Sequence, residues 1–379
     1  MSVYLDYAAT TPVDPRVLAA MLPYFSERWG NASSTHAFGQ EARAAVDRAR
    51  QEVAALLGAR PGEIVFTGGA TEADNLAVLG VASAAGRAGG HVITSAIEHH
   101  AILEACQVLR QRGVEVTEVP VGASGIVDPD DVRRALRPDT ALISIIAANN
   151  EIGTLQPLPE IGTVAREHGV PFHSDATQWV GALPSRVDDL RVDLLSLSGH
   201  KRYGPKGVGA LYVRTGTPLT PLQRGGGHER GRRGGTENVP GIVGFGAALR
   251  IAGETMEAET ARLAGLRDRL IQGALGIPGV ALNGDPVRRL PNNVNLSVEG
   301  TDGQSLVIGL DLRGVAVSAG AACSSGTIEA SHVLTALGLP AERAMSAIRL
   351  TLGRPTEAAE VEAALEALRA VVTQVRRAA

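Results

Sequence analysis

The placement of lysine singles out one short segment of this chain. Among 36 lysines and arginines, only Lys201 and Lys206 are lysines, and both lie in the segment 197–206, LSGHKRYGPK. Arginine replaces lysine as a cation, but its guanidinium does not lose a proton and act as an amine nucleophile. The two lysines are therefore candidates for amine chemistry, although codon bias would give the same count. Lys201 is the stronger candidate because it follows the apolar run 192–197, and the amine reaction we expect there is Schiff-base formation.

Three further segments carry groups that suit a bound cofactor. The glycines of 66–75, FTGGATEADN, precede a predicted helix N-terminus and suit a phosphate, although Thr71 and its neighbours also make an ordinary helix start. Asp175 ends another apolar run, as a helix cap, a metal ligand or the partner of a buried cation. If a pyridoxal ring lies there, with its nitrogen about 3 Å from the carboxylate of Asp175, the attraction between the carboxylate and the protonated nitrogen would be on the order of 5 kcal/mol before desolvation. His99 begins a predicted helix and could stack on a flat ring or shuttle protons, whereas a solvated helix start is favoured for His100.

The neighbouring residues predict different roles for the two cysteines and for one arginine. Cys106 lies on the apolar stripe of a predicted helix and is expected to be a small core residue. Cys323 lies in the run of small residues 318–327, SAGAACSSGT. From this run alone, a reactive thiol and a thiol without a function are equally compatible with the sequence. Arg349 lies among apolar neighbours in a strand-like run. A buried arginine needs a partner, which is either a substrate carboxylate or an acidic side chain of the chain itself.

Composition and charge exclude several classes of protein. With 379 residues, 44% hydrophobic and 20% charged, the chain is typical of a soluble globular protein with two domains. A net charge of −4 does not indicate a nucleic-acid or anionic-membrane partner. The sequence lacks a secretory signal, an apolar run long enough to span a bilayer and the HExxH or paired-cysteine spacing of a zinc site. Two distant cysteines fit a reducing cytoplasm.

The pattern of apolar runs predicts an α/β fold. The predicted strands are 63–66, 91–94, 114–119, 141–147, 171–172, 192–197 and 208–213, and the predicted helices before and between them are 15–25, 40–57, 71–84, 99–112, 128–136 and 158–168. This alternation indicates a mostly parallel sheet with helices on both faces. After the Gly/Arg-rich segment 224–238, a helix at 244–275 leads to a smaller α+β part with strands 293–298 and 315–318 and a helix at 357–377. We predict a large domain at 15–255 and a small domain formed by 1–14 and 256–379.

Taken together, these segments resemble the cysteine desulfurases, pyridoxal-phosphate enzymes of the class-V aminotransferase family with fold type I. The resembling segments are, in chain order, 4–12 (YLDYAATTP), 67–75 (TGGATEADN), 98–99 (EH), 149–153 (NNEIG), 175–178 (DATQ), 198–201 (SGHK), 225–230 (GGGHER) and the segment around Cys323. The resemblance implies a seven-stranded, mostly parallel sheet with helices on both faces and a smaller α+β domain that carries Cys323 and Arg349. It also implies pyridoxal 5'-phosphate as the cofactor.

The resemblance assigns a role to each candidate site residue. Lys201 would bind the cofactor as a Schiff base and later move the Cα proton, Asp175 would pair with the pyridinium, and His99 would stack on the ring. Cys323 would take the sulfur of L-cysteine as a persulfide, so that L-alanine is released. The other implied contacts are Ala70, Thr71, Ser198 and His200 at the cofactor phosphate end, Gln178 at the ring hydroxyl, Thr236 at the phosphate of a neighbouring subunit, and Asn150 (also a cofactor contact) with Arg349 at the substrate carboxylate.

The resemblance also implies partners. The protein would be a cytoplasmic homodimer that passes sulfur to an acceptor such as an iron–sulfur scaffold protein, without direct nucleic-acid or membrane contacts. Some relatives carry a further tail after the last helix that docks the scaffold, so the docking surface stays open here. No residue is assigned to a metal, and a transient iron–sulfur ligation by Cys323 also stays open. The alternatives are another fold-type-I enzyme, such as an aminotransferase or a selenocysteine or C–S lyase, and a non-catalytic partner protein.

Overall fold

Apolar, mostly short runs form the strands of this protein. The structure is a computed structural model that describes residues 2–86, 90–319, 323–324, 327–328 and 330–378. Its strands are β1 Val3–Tyr4, β2 Ile64–Thr67, β3 His91–Ser95, β4 Glu115–Val119, β5 Thr140–Ser144, β6 Phe172–Asp175, β7 Leu194–Ser198, β8 Gly209–Val213, β9 Val280–Leu282, β10 Asn293–Val298, β11 Val315–Ala316, β12 Ser318–Ala319, β13 Cys323–Ser324, β14 Thr327–Ile328 and β15 Ala347–Thr351.

The seven strands predicted between residues 63 and 213 form one sheet. Its order is β2, β8, β7, β6, β5, β3 and β4. The pairs from β7 through β6, β5 and β3 to β4 are parallel, and β8 is antiparallel to both of its neighbours. The prediction of a mostly parallel seven-stranded sheet is confirmed. Because the carboxyl ends of parallel strands meet at one edge, the polar residues that end β6 and β7 are brought together there.

Helices cover this sheet on both faces. The helices are α1 Pro15–Met21, α2 Pro23–Ser26, α3 Ala37–Leu57, α4 Ala70–Ala84, α5 His100–Gln111, α6 Pro129–Ala135, α7 Leu158–Glu167, α8 Val187–Leu190, α9 Val239–Leu275, α10 Gly303–Asp311, α11 His332–Ala336, α12 Ala341–Met345 and α13 Ala358–Ala378. Val65 and Leu211 pack in a core with α4 and α5, whereas the adjacent Phe66 and Tyr212 pack on the other face with α3, α7 and α9. Successive residues of a strand thus pack into two buried cores, one on each face of the sheet. Because both faces are buried, the strands are almost continuously apolar in sequence. No helix within the described ranges combines the length and apolarity needed to cross a membrane.

Proline explains two of the differences between the predicted and the observed helix boundaries. The helix predicted at 15–25 is two short helices, because Pro23 lacks the N–H needed to continue the first one and begins the second. The long helix begins at Val239 instead of 244. Pro240 is tolerated in the first turn, where N–H groups have no helical partner, and Asn238 caps that turn with its side chain.

A second, antiparallel sheet lies in the C-terminal part of the chain. Its order is β12, β15, β10 and β9, and α9, α10 and α13 pack on it in a separate apolar core. The single strand predicted at 315–318 was wrong. The chain leaves one sheet and enters another at Val317, since β11 pairs in parallel with β1 and β12 pairs antiparallel with β15. The domain division at residues 14/15 and 255/256 stays a prediction, and α9 packs on the first core near Phe245 and on the second near Leu270.

Candidate cofactor and substrate site

A cavity of about 700 Å³ lies where the polar ends of β6 and β7 meet the N-terminus of α4. The predicted site residues that line it are Ala70, Thr71, His99, Asn150, Asp175, Gln178, Ser198, His200, Lys201 and Arg349. Thr236 is exposed in the segment before α9 and is not among the lining residues. The side chain of Cys323 lies outside the part of the chain that is described. Residues that are far apart in the sequence thus share one cavity.

Lys201 enters the cavity from a short turn at the end of β7. The 3-10 turn Gly199–Lys201 follows the strand directly, so the lysine stands at the carboxyl edge of the sheet. Its Nζ donates hydrogen bonds to the backbone oxygens of Ala8 at 2.8 Å and Ala9 at 2.7 Å. Burial, followed by the nearby positive charge of Arg349, lowers the pKa of Lys201 to about 8. The amine therefore loses its proton more easily than an ordinary lysine.

Asp175 lines the cavity and lies near other buried acidic groups. The residue is 5% exposed, and its carboxylate accepts a hydrogen bond from the backbone N–H of Thr177 at 2.9 Å. Asp74 also lines the cavity, and burial together with the charge of Asp175 raises the pKa of Asp74 well above its usual range. Burial likewise raises the pKa of Glu98 to about 8. The raised pKa values of Asp74 and Glu98 favour their neutral forms, so Asp175 is the carboxylate that we assign as the partner of a bound cation.

The ring of His99 is fixed by the start of α5. His99 is the cap residue of this helix, and its Nδ1 accepts a hydrogen bond from the backbone N–H of Ala101 at 3.1 Å. Burial lowers the pKa of His99, so the imidazole is neutral near neutral pH. Because Nδ1 is the acceptor, the remaining hydrogen is on Nε2. The start of α5 thus fixes a flat neutral ring at the cavity, which suits the predicted stacking role.

The first residues of α4 line the cavity, and the first N–H groups of a helix have no partner within the helix itself. Its cap residue, Gly69, has φ +154° and no side chain that could accept the first N–H groups. Gly209 on β8 allows this turn to approach closely, since a Cβ there would lie 2.8 Å from the backbone carbon of Gly69. Burial and the charges of Lys201 and Lys206 lower the pKa of His200 to about 4, so His200 is a neutral neighbour. The donors at this end fit a phosphate group.

Arg349 has an acidic partner and also lines the cavity. It lies on β15, with Nη2 donating to Oδ1 of Asp6 at 2.8 Å and Nη1 donating to the backbone oxygen of Asn150 at 3.1 Å. The two alternatives that the sequence left open, an internal carboxylate and a substrate carboxylate, are therefore not exclusive. The guanidinium is positioned by the chain and remains at the cavity wall.

The N-terminal segment contributes more to the site than the sequence reasoning assigned to it. The backbone oxygen of Ala8 accepts from Nε2 of Gln178 at 3.0 Å as well as from Lys201, and the Thr10 hydroxyl lies 3.1 Å from Nδ1 of His200. The segment YLDYAATTP was recognised as a motif, but no residue in it received a role. Its repeated small and hydroxyl residues were the available signal, because they allow backbone carbonyls to approach other side chains.

Cys106 was correctly predicted as a core residue. It is fully buried, and burial raises the pKa of its thiol to about 12. A buried thiol with such a pKa is a poor nucleophile at neutral pH. Within the described ranges, no group of three or more histidine, cysteine or acidic side chains is arranged to hold a metal ion.

The groups of this cavity fit pyridoxal phosphate. The N–H groups at the start of α4 suit the phosphate, Asp175 suits the ring nitrogen, and the amine of Lys201 suits the aldehyde. His99 would cover the ring.

The lowered pKa of Lys201 predicts how cofactor uptake depends on pH. We expect the rate of covalent uptake of pyridoxal phosphate by cofactor-free protein to rise with pH and to level off above about pH 8, because the neutral amine is the reactive form. Stopped-flow absorbance at constant ionic strength measures this rate. A rate that still rises steeply at about pH 10 would indicate a lysine with an ordinary pKa and would contradict the prediction.

Known proteins match this chain over almost its whole length. The model of the aminotransferase class-V family matches residues 3–364. The cysteine desulfurase IscS of Dictyoglomus turgidum is 50% identical over 375 residues, which are 99% of this chain and 95% of that protein. Among solved structures, a NifS-like protein has a TM-score of 0.93 and 38% identity, covering 99% of this chain and 100% of its own. A structure described as SspA in complex with cysteine has a TM-score of 0.83 and 41% identity, covering 93% and 99%.

The extent of these matches confirms the resemblance seen in the sequence. They include the large sheet, the C-terminal antiparallel sheet and the cavity between the N-terminal segment and β15. The predicted type I fold of pyridoxal-phosphate enzymes is confirmed by the structural neighbours. The chain therefore belongs to the aminotransferase class-V family, and pyridoxal 5'-phosphate is its cofactor.

Proposed function

We propose that this protein is a cysteine desulfurase that converts L-cysteine to L-alanine and keeps the sulfur as a persulfide on Cys323. The observation that carries the proposal is one cavity that combines a lysine of lowered pKa, a buried carboxylate and an arginine, namely Lys201, Asp175 and Arg349. The full-length similarity to cysteine desulfurases supports the same conclusion. The relative described in complex with cysteine supports L-cysteine as the substrate.

The residues of the cavity would divide the work of the reaction. Bound pyridoxal phosphate withdraws electrons from the Cα of an amino acid joined to it. Arg349 would bind the substrate carboxylate with Asn150 beside it, and Asp175 would keep the ring nitrogen protonated. The neutral amine of Lys201 would remove the Cα proton, and the oxygens of Ala8 and Ala9 would accept hydrogen bonds from the ammonium group that results.

The sulfur step balances without an external oxidant or reductant. The thiolate of Cys323 would form a bond to the substrate sulfur while the substrate Cβ–S bond breaks. The electron pair of that bond stays on Cβ, which takes up a proton and becomes the methyl group of alanine. The products are L-alanine and a persulfide on Cys323, and the persulfide sulfur is then available to an acceptor thiol.

The proposal includes the surroundings in which the sulfur is used. We place the enzyme in the cytoplasm as a homodimer in which Thr236 reaches the phosphate of the partner subunit, with an iron–sulfur scaffold protein as a sulfur acceptor. The exposed position of Thr236 outside the cavity supports a contact with a second subunit. A reducing compartment fits this cycle because each turnover needs Cys323 as a free thiol, which is regenerated when the persulfide sulfur passes to the acceptor.

Mass spectrometry tests this proposal directly. After incubation of the holoenzyme with L-cysteine and alkylation, we expect one additional sulfur on the peptide that contains Cys323 and none on the peptide that contains Cys106, whose thiol is buried. L-alanine should form in equal amount during the first turnover. Absence of the added sulfur, together with pyruvate or a keto acid as the product, would instead indicate a lyase or an aminotransferase.

A further inference from the structure

The guanidinium of Arg349 is only partly paired. Nη2 donates to a single oxygen of Asp6 at 2.8 Å, and Nη1 donates to the backbone oxygen of Asn150. Nε is buried and has no hydrogen-bond partner within the described chain. Nε and Nη2 lie on the same side of a guanidinium and form one of the forks that bind a carboxylate through both of its oxygens. One prong of this fork is therefore held by Asp6, and the other is free.

Asp6 is held in place by contacts other than the ion pair. Its backbone forms a parallel bridge with Thr351 on β15, and its backbone oxygen accepts a hydrogen bond from the Tyr4 hydroxyl at 3.0 Å. Arg349 lines the cavity, whereas Asp6 is not among the lining residues. A carboxylate that enters the cavity therefore meets a guanidinium whose charge is already partly balanced by the protein.

We propose that the carboxylate of Asp6 competes with the ligand carboxylate for Arg349 and so sets how tightly carboxylate ligands bind. Its carboxylate occupies Nη2 until an amino-acid carboxylate displaces it and binds Nη2 and Nε together. This inference rests on the proposed function, because it takes Arg349 as the group that binds the substrate carboxylate. In the absence of substrate, Asp6 keeps a buried guanidinium paired, which avoids the cost of an isolated buried charge.

The competition acts on substrate and product alike. L-cysteine and L-alanine both carry the carboxylate that has to displace Asp6, so both bind more weakly than they would to an unpaired Arg349. An amine without a carboxylate does not compete with Asp6. Weaker binding of L-alanine favours its release, which helps turnover in an enzyme whose product differs from the substrate only by one sulfur atom.

Asp6→Asn tests the competition, because it keeps the shape of the side chain and removes its charge. We expect the dissociation constant of L-alanine, read from the cofactor absorption of the holoenzyme, to fall by about two- to fivefold, the range of a partly exposed ion pair. The dissociation constant of ethylamine, which lacks a carboxylate, should not change. Asp6→Glu should stay near the wild-type constants, since it keeps the negative charge.

Glu362→Gln controls for net charge, because it removes a carboxylate from the exposed pair with Arg269. An unchanged or higher constant for L-alanine in Asp6→Asn would mean that Asp6 only orients Arg349, and this result would overturn the proposal. Tighter binding of ethylamine would overturn it as well, because the effect would not depend on the ligand carboxylate. Asp6→Ser gives the same comparison if the asparagine variant does not fold. A wild-type holoenzyme that makes no alanine from L-cysteine would contradict the proposed function instead.

Discussion

Replacement of Lys201 by arginine is expected to give a folded protein that no longer holds pyridoxal phosphate covalently. Arginine preserves the positive charge beside Ala8 and Ala9, but its guanidinium is not a nucleophile at any ordinary pH. It is also a poor base, so removal of the Cα proton fails too. We expect alanine formation from L-cysteine to fall by a factor of at least about 10³. Borohydride reduction followed by peptide mass spectrometry should find no fixed cofactor.

Lys206→Arg is the matched control for this experiment. It makes the same substitution at the other lysine of the chain, which also lines the cavity. The control should retain covalently fixed cofactor on the peptide that contains Lys201. If the Lys201 variant still holds the cofactor covalently, or if only the Lys206 variant loses it, then Lys201 is not the lysine that carries the amine chemistry.

The second large effect is expected at the thiol of Cys323. Cys323→Ala should bind pyridoxal phosphate and L-cysteine with the spectrum of the wild-type enzyme, but alanine formation should fall by a factor of at least about 10³. No other thiol of the chain replaces it, because Cys106 is fully buried and its pKa is raised to about 12. Alanine release and sulfide release in the presence of a reductant are the two measurements.

Cys106→Ala separates loss of the nucleophile from general damage. It removes a sulfur atom from the core and should lower the free energy of unfolding by about 1 kcal/mol, while sulfur transfer continues. If Cys323→Ala forms alanine at the wild-type rate, the thiol of Cys323 has no part in the reaction. The alternative of another fold-type-I enzyme would then be preferred.

The sequence predicted the large sheet well because most of its strands are buried and apolar on both faces. A strand that it predicted poorly is β6, for which the apolar pattern covered only 171–172. The strand continues through His173 to Asp175, and these polar residues are buried because their side chains are satisfied inside the sheet. The two ring nitrogens of His173 lie 2.9 Å from the hydroxyls of Ser144 and Ser196. Hydropathy does not detect a strand whose burial depends on such hydrogen bonds.

The candidate site was predictable where each residue belongs to a local motif. Lys201 and Asp175 follow apolar runs directly, so topology alone places them at one edge of the sheet. The contacts of Ala8 and Asp6 were not predictable in this way, since each joins residues that are far apart in the sequence. Asp74 was also missed as a cavity residue, because an acidic residue in the first turns of a helix normally indicates only a helix start.

The pairing of β1 with β11, and of the N-terminal segment with β15, has a consequence for how the enzyme is made in the cell. Residues 3–6 leave the ribosome long before the residues with which they pair, since Val3 pairs with Val315 and Asp6 with Thr351. The backbone oxygens of Ala8 and Ala9, which accept hydrogen bonds from Lys201, belong to the same N-terminal segment. Cofactor loading is therefore expected only after β15 has been synthesised and residues 3–6 have paired with β11 and Thr351.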